Sequence, residues 1–138
     1  MRQFLLNPTF DSRELQDFVV LFAALHPPDS LSVEADYYLG SVQAICETGE
    51  VIGADASGSR QAFYVYGPPH VIWVAGINKL VPSLESGLRR VREVALPLED
   101  QRMKRQGGPG SSIGKLVIYE RERPGRTTLV LVGENLGF

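Results

Sequence analysis

The run His70-Val71-Ile72-Trp73-Val74-Ala75-Gly76 decides how this sequence is read. It is almost unbroken apolar, rich in β-branched residues, and bounded by Gly67-Pro68-Pro69 and Ile77-Asn78-Lys79. Too short for a full helix, it reads as a strand covered on both faces, as in the interior of a parallel sheet. Downstream, an amphipathic helix is expected from about Pro82 to Ala95. There Leu84, Leu88, Val91 and Ala95 fall on one face, opposite Glu85, Arg89, Arg92 and Glu93. Pro82 suits a first turn, Pro97 is expected to end the pattern, and a second short helix is expected over 98–104. Strand, crossover helix and strand together predict an α/β layer with parallel pairing.

Outward from this centre the signals are shorter. Asp36 to Gly40 reads as a strand, with Val42 to Ile45 as its continuation or a tight turn. Thr48-Gly49 predicts a hairpin turn. Gln61 to Tyr66 reads as a short helix, with a strand as the alternative. Gly107 to Gly114 is expected to be a flexible loop. Two closing strands, Lys115 to Glu120 and Thr127 to Val132, are joined by the turn Arg123-Pro124-Gly125-Arg126. Near the N-terminus, Leu15, Phe18, Val19, Phe22 and Leu25 form a helical stripe over Asp11–Leu25. Asp11 and Glu14 supply a capping box, and Pro27-Pro28 stops the helix.

A chain of 138 residues is the size of one domain. Its net charge of −2, with Lys/Arg interleaved among Asp/Glu, gives no electrostatic reason to expect nucleic acid or an anionic membrane as partner. One cysteine permits no intrachain disulfide and no cysteine metal cluster, which fits a reducing compartment. No apolar run reaches the roughly 18 residues of a membrane span, so a cytoplasmic location is expected.

Several strings, in order and spacing, resemble the lactate-utilisation (LUD) domain family over about residues 34–138. They are Ala35-Asp36, Glu47-Thr48-Gly49-Glu50, Asp55 to Arg60, Val74 to Val81, Arg89 to Leu98, Pro124-Gly125-Arg126 and Val132 to Phe138. The resemblance implies a NagB/RpiA/CoA-transferase-like fold, with a central, largely parallel sheet flanked by helices. It also implies a link to the oxidation of lactate to pyruvate, in which the LUD-only component looks like an accessory protein. Two departures stand out. The family's longer, Gly-rich N-terminal half has only the divergent helical segment 1–33 in its place, which predicts a single domain with a shortened N-terminal half. The cysteine cluster of some relatives is absent from Gly107 to Gly114, so no iron–sulfur cofactor, and no other cofactor or metal, is expected.

Ser57-Gly58-Ser59-Arg60 is the best candidate anion site. Glycine permits close backbone approach, and a helix beginning here would aim N–H groups, two hydroxyls and Arg60 at a carboxylate or phosphate. The plainer reading is a polar turn with a solvated arginine, or one tied to Asp55. Asn78-Lys79 follows the predicted inner strand, where Lys79 could neutralise an anion and Asn78 orient it; the alternative is a loop lysine beside a turn asparagine. Glu134 completes the candidate ligand-binding set. Asp36, Asp55 and Glu134 could each act as acid or base, or simply cap, brace an arginine or face solvent. Cys46 would need His26 or His70 as its base. Arg89-Arg90-Val91-Arg92, with Arg102, Lys104 and Arg105, reads as a solvated face or a docking surface for an acidic partner.

The function expected from these signs is an accessory component of lactate utilisation that binds a small anionic ligand or a partner subunit, such as an iron–sulfur oxidoreductase component. The alternatives are an enzyme acting on a small carboxylate, phosphate or thioester, and a non-catalytic oligomerisation remnant. A homo-oligomer, most simply a homodimer, is expected because a shortened sheet leaves an edge and an apolar face to cover.

Overall fold

The computed structural model describes residues 35–138, so the helix expected at Asp11–Leu25 lies outside the described residues. The described chain forms two compact units. One comprises 35–41, Ala62–Ile77 and Glu122–Gly137; the other comprises Val42–Gln61 and Asn78–Arg121.

The first unit is built on a three-stranded parallel sheet in the order β1-β4-β7, formed by β1 (Tyr37–Gly40), β4 (His70–Gly76) and β7 (Thr127–Val132). As its composition predicts, β4 is the inner strand. Tyr38 and Thr127 flank Val71 on its two sides, and Val71, Trp73, Val74 and Ala75 are buried. Helix α1 (Ser59–Val65) contributes Tyr64 to this core, which settles the helix-or-strand alternative at Gln61 to Tyr66 in favour of a helix. The Tyr64 ring meets Trp73 and Tyr38 edge-on, at centroid distances of 5.6 and 5.5 Å. Its hydroxyl donates to the Ser41 carbonyl at 3.0 Å, so the buried polar end is satisfied. Gly40 makes this possible, because a Cβ there would lie 1.9 Å from the Tyr64 oxygen.

Arg126 closes the other end of this arrangement. Its guanidinium donates to the carbonyls of Tyr64 and Phe63 at 2.8 and 3.0 Å and pairs with Glu122. The last carbonyls of α1 thus receive donors that the helix itself cannot supply. The Pro124-Gly125 turn, with Gly125 at φ +81°, brings Arg126 into place.

The second unit holds a mixed sheet in the order β5-β2-β3-β6, formed by β2 (Ala44–Cys46), β3 (Val51–Asp55), β5 (Leu80–Val81) and β6 (Lys115–Tyr119). Strand β2 runs parallel to β5 and antiparallel to β3, and β3 is antiparallel to β6. The expectation of one largely parallel sheet is met in part: the three-stranded sheet is all-parallel, whereas the four-stranded sheet is mixed. Short hairpin connections let β2 and β3 pair antiparallel without a crossover. The turn at Thr48-Gly49 is as expected, with Gly49 at φ +116° and its amide donating to the Cys46 carbonyl.

Helix α2 (Leu84–Arg90), capped by Ser83, packs on this sheet. Val91 and Ala95 are buried as the spacing predicts, while Leu84 and Leu88 lie against the cluster of Ala44, Cys46, Ile52 and Ala54. A Cβ on Gly87 would meet the Ile52 methyl at 2.6 Å, so the helix approaches the sheet through its glycine. Pro97 does not end the helix, contrary to expectation. Val91–Ala95 widens into a π turn, and α3 (Leu96–Arg105) continues with Pro97 in its first turn, where its missing N–H costs little. The Gly107 to Gly114 loop is anchored: the Ser111 amide donates to Asp100 and the Gly114 amide to the Asp55 carbonyl. Among the described residues, no helix is long and apolar enough to cross a membrane.

Candidate functional site

In the second unit the strand registers decide which residues meet. Ile45 pairs with Leu80 and Ala44 with Ile52. The residues just before β2 and β5 and the last residue of β3 therefore lie at one end of the sheet. They are Gln43, Lys79 and Asp55. Lys79 closes a 3-10 turn, Ile77–Lys79, and is only 4% exposed.

Arg90 reaches this end from the last turn of α2. Its guanidinium donates to the Asn78 carbonyl at 3.0 Å and to the Gln43 carbonyl. Gln43 in turn accepts from the Ala54 amide at 2.7 Å through its side-chain oxygen. Arg90 is thus held beside Asn78-Lys79 instead of lying on the solvated face expected for Arg89 to Arg92. The sequence carried one sign of this. Arg90 stands three residues beyond Gly87, on the flank where the helix comes closest to the sheet.

Arg60 is held at this end through Asp55. Asp55, itself buried, accepts from the Arg60 amide at 2.9 Å and faces its guanidinium at 3.4 Å. Asp55 therefore caps α1 and braces Arg60, one of the roles its sequence context allowed. The Ser59 amide bonds to the Ser57 hydroxyl, and the two hydroxyls lie 3.1 Å apart. With these groups turned on one another, the main offering of Ser57 to Arg60 is the arginine's charge. Its side chain is 48% exposed and its ion pair is long, so the tip can exchange partners.

Lys79 feels this assembly. Burial, then the charge of Arg90, then that of Arg60 bring its pKa down to about 8. Burial also pulls Arg90 below its ordinary value. A guanidinium holds its proton throughout the physiological range, so the lysine is the member of the trio that gives way.

The remaining candidates lie apart from this description or have quieter roles. Glu134 belongs to the first unit, past β7, where it is exposed and its carbonyl accepts from the Ile77 amide. Asp36 offers its carbonyl to the His70 amide. Burial, with Glu50 beside it, pushes the Cys46 thiol up, opposite to what a nucleophilic thiolate needs. His26 is outside the described residues, and His70 stacks on Tyr37 in the first unit. A cleft of about 650 Å³ in that unit is lined by Tyr66, Pro68, His70, Arg123 and Arg126 among others. Among the described residues, no group of three or more His, Cys, Asp or Glu could hold a metal ion.

Comparison with known proteins adds one match. A model of the LUD domain matches residues 29–132, about three-quarters of the chain and nearly the span that the sequence strings marked. No curated protein and no solved structure matches.

Proposed function

The chain belongs to the LUD domain family, and from that premise we propose that it serves lactate utilisation as an accessory component binding a small anion. Arg60, Lys79 and Arg90 supply the charge, and Ser57, Gly58, Ser59 and Asn78 shape the surroundings. The observation that carries this reading is the burial of Lys79 with two guanidinium groups acting on it. Cationic side chains gathered at one end of the sheet favour an anion there, the more so where burial limits screening by water.

A NagB/RpiA/CoA-transferase-like arrangement, a homodimer and association with an iron–sulfur oxidoreductase component belong to the same proposal. The fold and the oxidoreductase partner rest on the family link, and the homodimer on the edge and apolar face that a shortened sheet would leave; none rests on the cationic cluster.

Two experiments test it. Deleting the gene should impair growth on lactate as sole carbon source, and unimpaired growth would count against the metabolic assignment. In vitro, lactate, pyruvate or inorganic phosphate should raise the melting temperature of the wild-type protein at pH 7. Arg60→Ala should lose that response while keeping its own melting transition. An equal response in both proteins would remove Arg60 from the site.

A further inference from the structure

The edges of the two sheets are not equally protected. A bare strand edge is a row of unpaired N–H and C=O groups, which proteins blunt with short strands, charge, proline or a bulge. Strand β5 is only two residues long, and β6 opens with the charged Lys115. Strand β1 has four residues. Strand β7, Thr127-Thr128-Leu129-Val130-Leu131-Val132, has six and carries neither a charge nor a proline. Among the described residues, no backbone group is hydrogen-bonded to the side of β7 that faces away from β4.

The pattern of groups on that free side follows from the pairing with β4. The amides of Val71 and Ile77 donate to the carbonyls of Arg126 and Glu134. Successive residues of a strand turn their N–H and C=O groups to opposite sides. Thr128, Val130 and Val132 therefore serve β4, while Thr127, Leu129 and Leu131 point outward. These outward positions are symmetric about Leu129.

We propose that this edge is an interface with a second copy of the chain, the two β7 strands pairing antiparallel about a two-fold axis at Leu129. This rests on the homodimer reading above and names its contact surface. On the axis Leu129 faces its own counterpart, and Thr127 faces the partner's Leu131. Each opposed pair then exchanges two hydrogen bonds, because both members point outward. Any other register leaves at least one of the three outward residues unopposed within the strand.

The side chains agree with this register. The paired stretch brings together only threonine, leucine and valine, so no like charges meet across it. Just beyond its ends, antiparallel pairing brings the exposed Glu134 of one copy to the same end as the exposed Arg123 of the other. The two-fold axis makes that charge match twice and closes the assembly at two copies.

The test is the mass of the full-length chain by light scattering across micromolar concentrations, where wild type should be a dimer. Leu131→Pro removes an outward donor and leaves the ladder with β4 intact. It should keep a melting transition while the dimer dissociation constant rises about tenfold or more. The exposed pair decides independently if that variant does not fold. Glu134→Arg and Arg123→Glu should each weaken the dimer about threefold to tenfold at low salt, and the double swap should restore it.

A wild-type dimer indifferent to the proline and to both charge reversals would overturn the β7 interface and leave the homodimer standing. A monomeric wild type would overturn both, and would leave this edge to a strand from a different chain. A dimer weakened by the proline alone would remove Glu134 and Arg123 from the contact. None of these results bears on the anion site.

Discussion

In the three-stranded unit, Arg126 is 7% exposed, and its guanidinium is met by the Glu122 carboxylate and by the carbonyls of Phe63 and Tyr64. In the four-stranded unit, Lys79 is 4% exposed, and the charges that move its pKa are the cations Arg90 and Arg60. Both positions bury a positive charge, an expensive act in either place. At Arg126 the surroundings repay the cost within the folded chain, by capping a helix and pairing a carboxylate. At Lys79 they raise the cost further. A buried cation that caps a helix and pairs a carboxylate is structural, whereas one whose pKa is perturbed by neighbouring cations is a candidate for function.

This contrast is most directly broken by removing the cations. Arg126→Ala leaves Glu122 without its guanidinium and the last carbonyls of α1 without donors. We expect a loss of about 3–5 kcal/mol, read as a lower urea midpoint with unchanged slope. Arg126→Lys should recover only part of it, since a single ammonium cannot reproduce a planar fork that serves three acceptors. A loss below about 1 kcal/mol would mean that Arg126 is not the brace described.

Lys79→Met should behave in the opposite sense. The folded pKa lies near 8 and that of the unfolded chain near 10.5, so below pH 8 both forms are protonated and the full burial cost is present. Between the two values the unfolded chain holds more protons, and stability rises with pH by roughly 3 kcal/mol in all. Lys79→Met should lack this rise while retaining whatever Cys46 contributes. The difference between the two stability–pH curves isolates the lysine. Parallel curves from pH 8 to 10.5 would show that Lys79 is not destabilised by its neighbours.

The two cations also mark how far sequence reasoning reached. The apolar run at His70 to Gly76, the stripe of Leu84, Leu88, Val91 and Ala95, and the Thr48-Gly49 turn were legible, because each follows from local periodicity or turn chemistry. Arg60 and Lys79 were legible as candidate residues. Their convergence was not, because it depends on the register of β2 with β3 and β5, which no local pattern specifies. Arg90 and Arg126 were misjudged or passed over for the same reason: each acts on backbone carbonyls distant in sequence. Pro97 misled for a different reason. A π turn ahead of it gave the helix a way past a residue that usually ends one.

A finer probe of the cluster is Asp55→Asn. The amide still offers an oxygen to the Arg60 N–H, so the cap on α1 survives, but the negative charge facing Arg60 is gone. Stability should fall by about 1 kcal/mol or less, since Arg60 is half exposed. Affinity for inorganic phosphate or pyruvate, followed by titration calorimetry at pH 7, should rise, because Arg60 no longer has a competing carboxylate. Weaker binding would mean that Asp55 positions Arg60 for the ligand instead of competing with it.

The smallest effect is expected where charges are solvated. On α3, Arg102 donates to Glu99 at 2.6 and 2.7 Å, which is closer than any contact made by Arg60. If proximity set energy, this pair would dominate. Both side chains are open to water, however, so Arg102→Ala should cost no more than about 0.5 kcal/mol. The Arg102 hydrogen bonds hold the Glu99 carboxyl below its usual range, so the small contribution is present at neutral pH and disappears as acid protonates Glu99. Wild type and variant should therefore converge at low pH. A difference at pH 7 as large as that for Arg126→Ala would break the premise that burial and local compensation, more than contact distance, separate structural charges from functional ones.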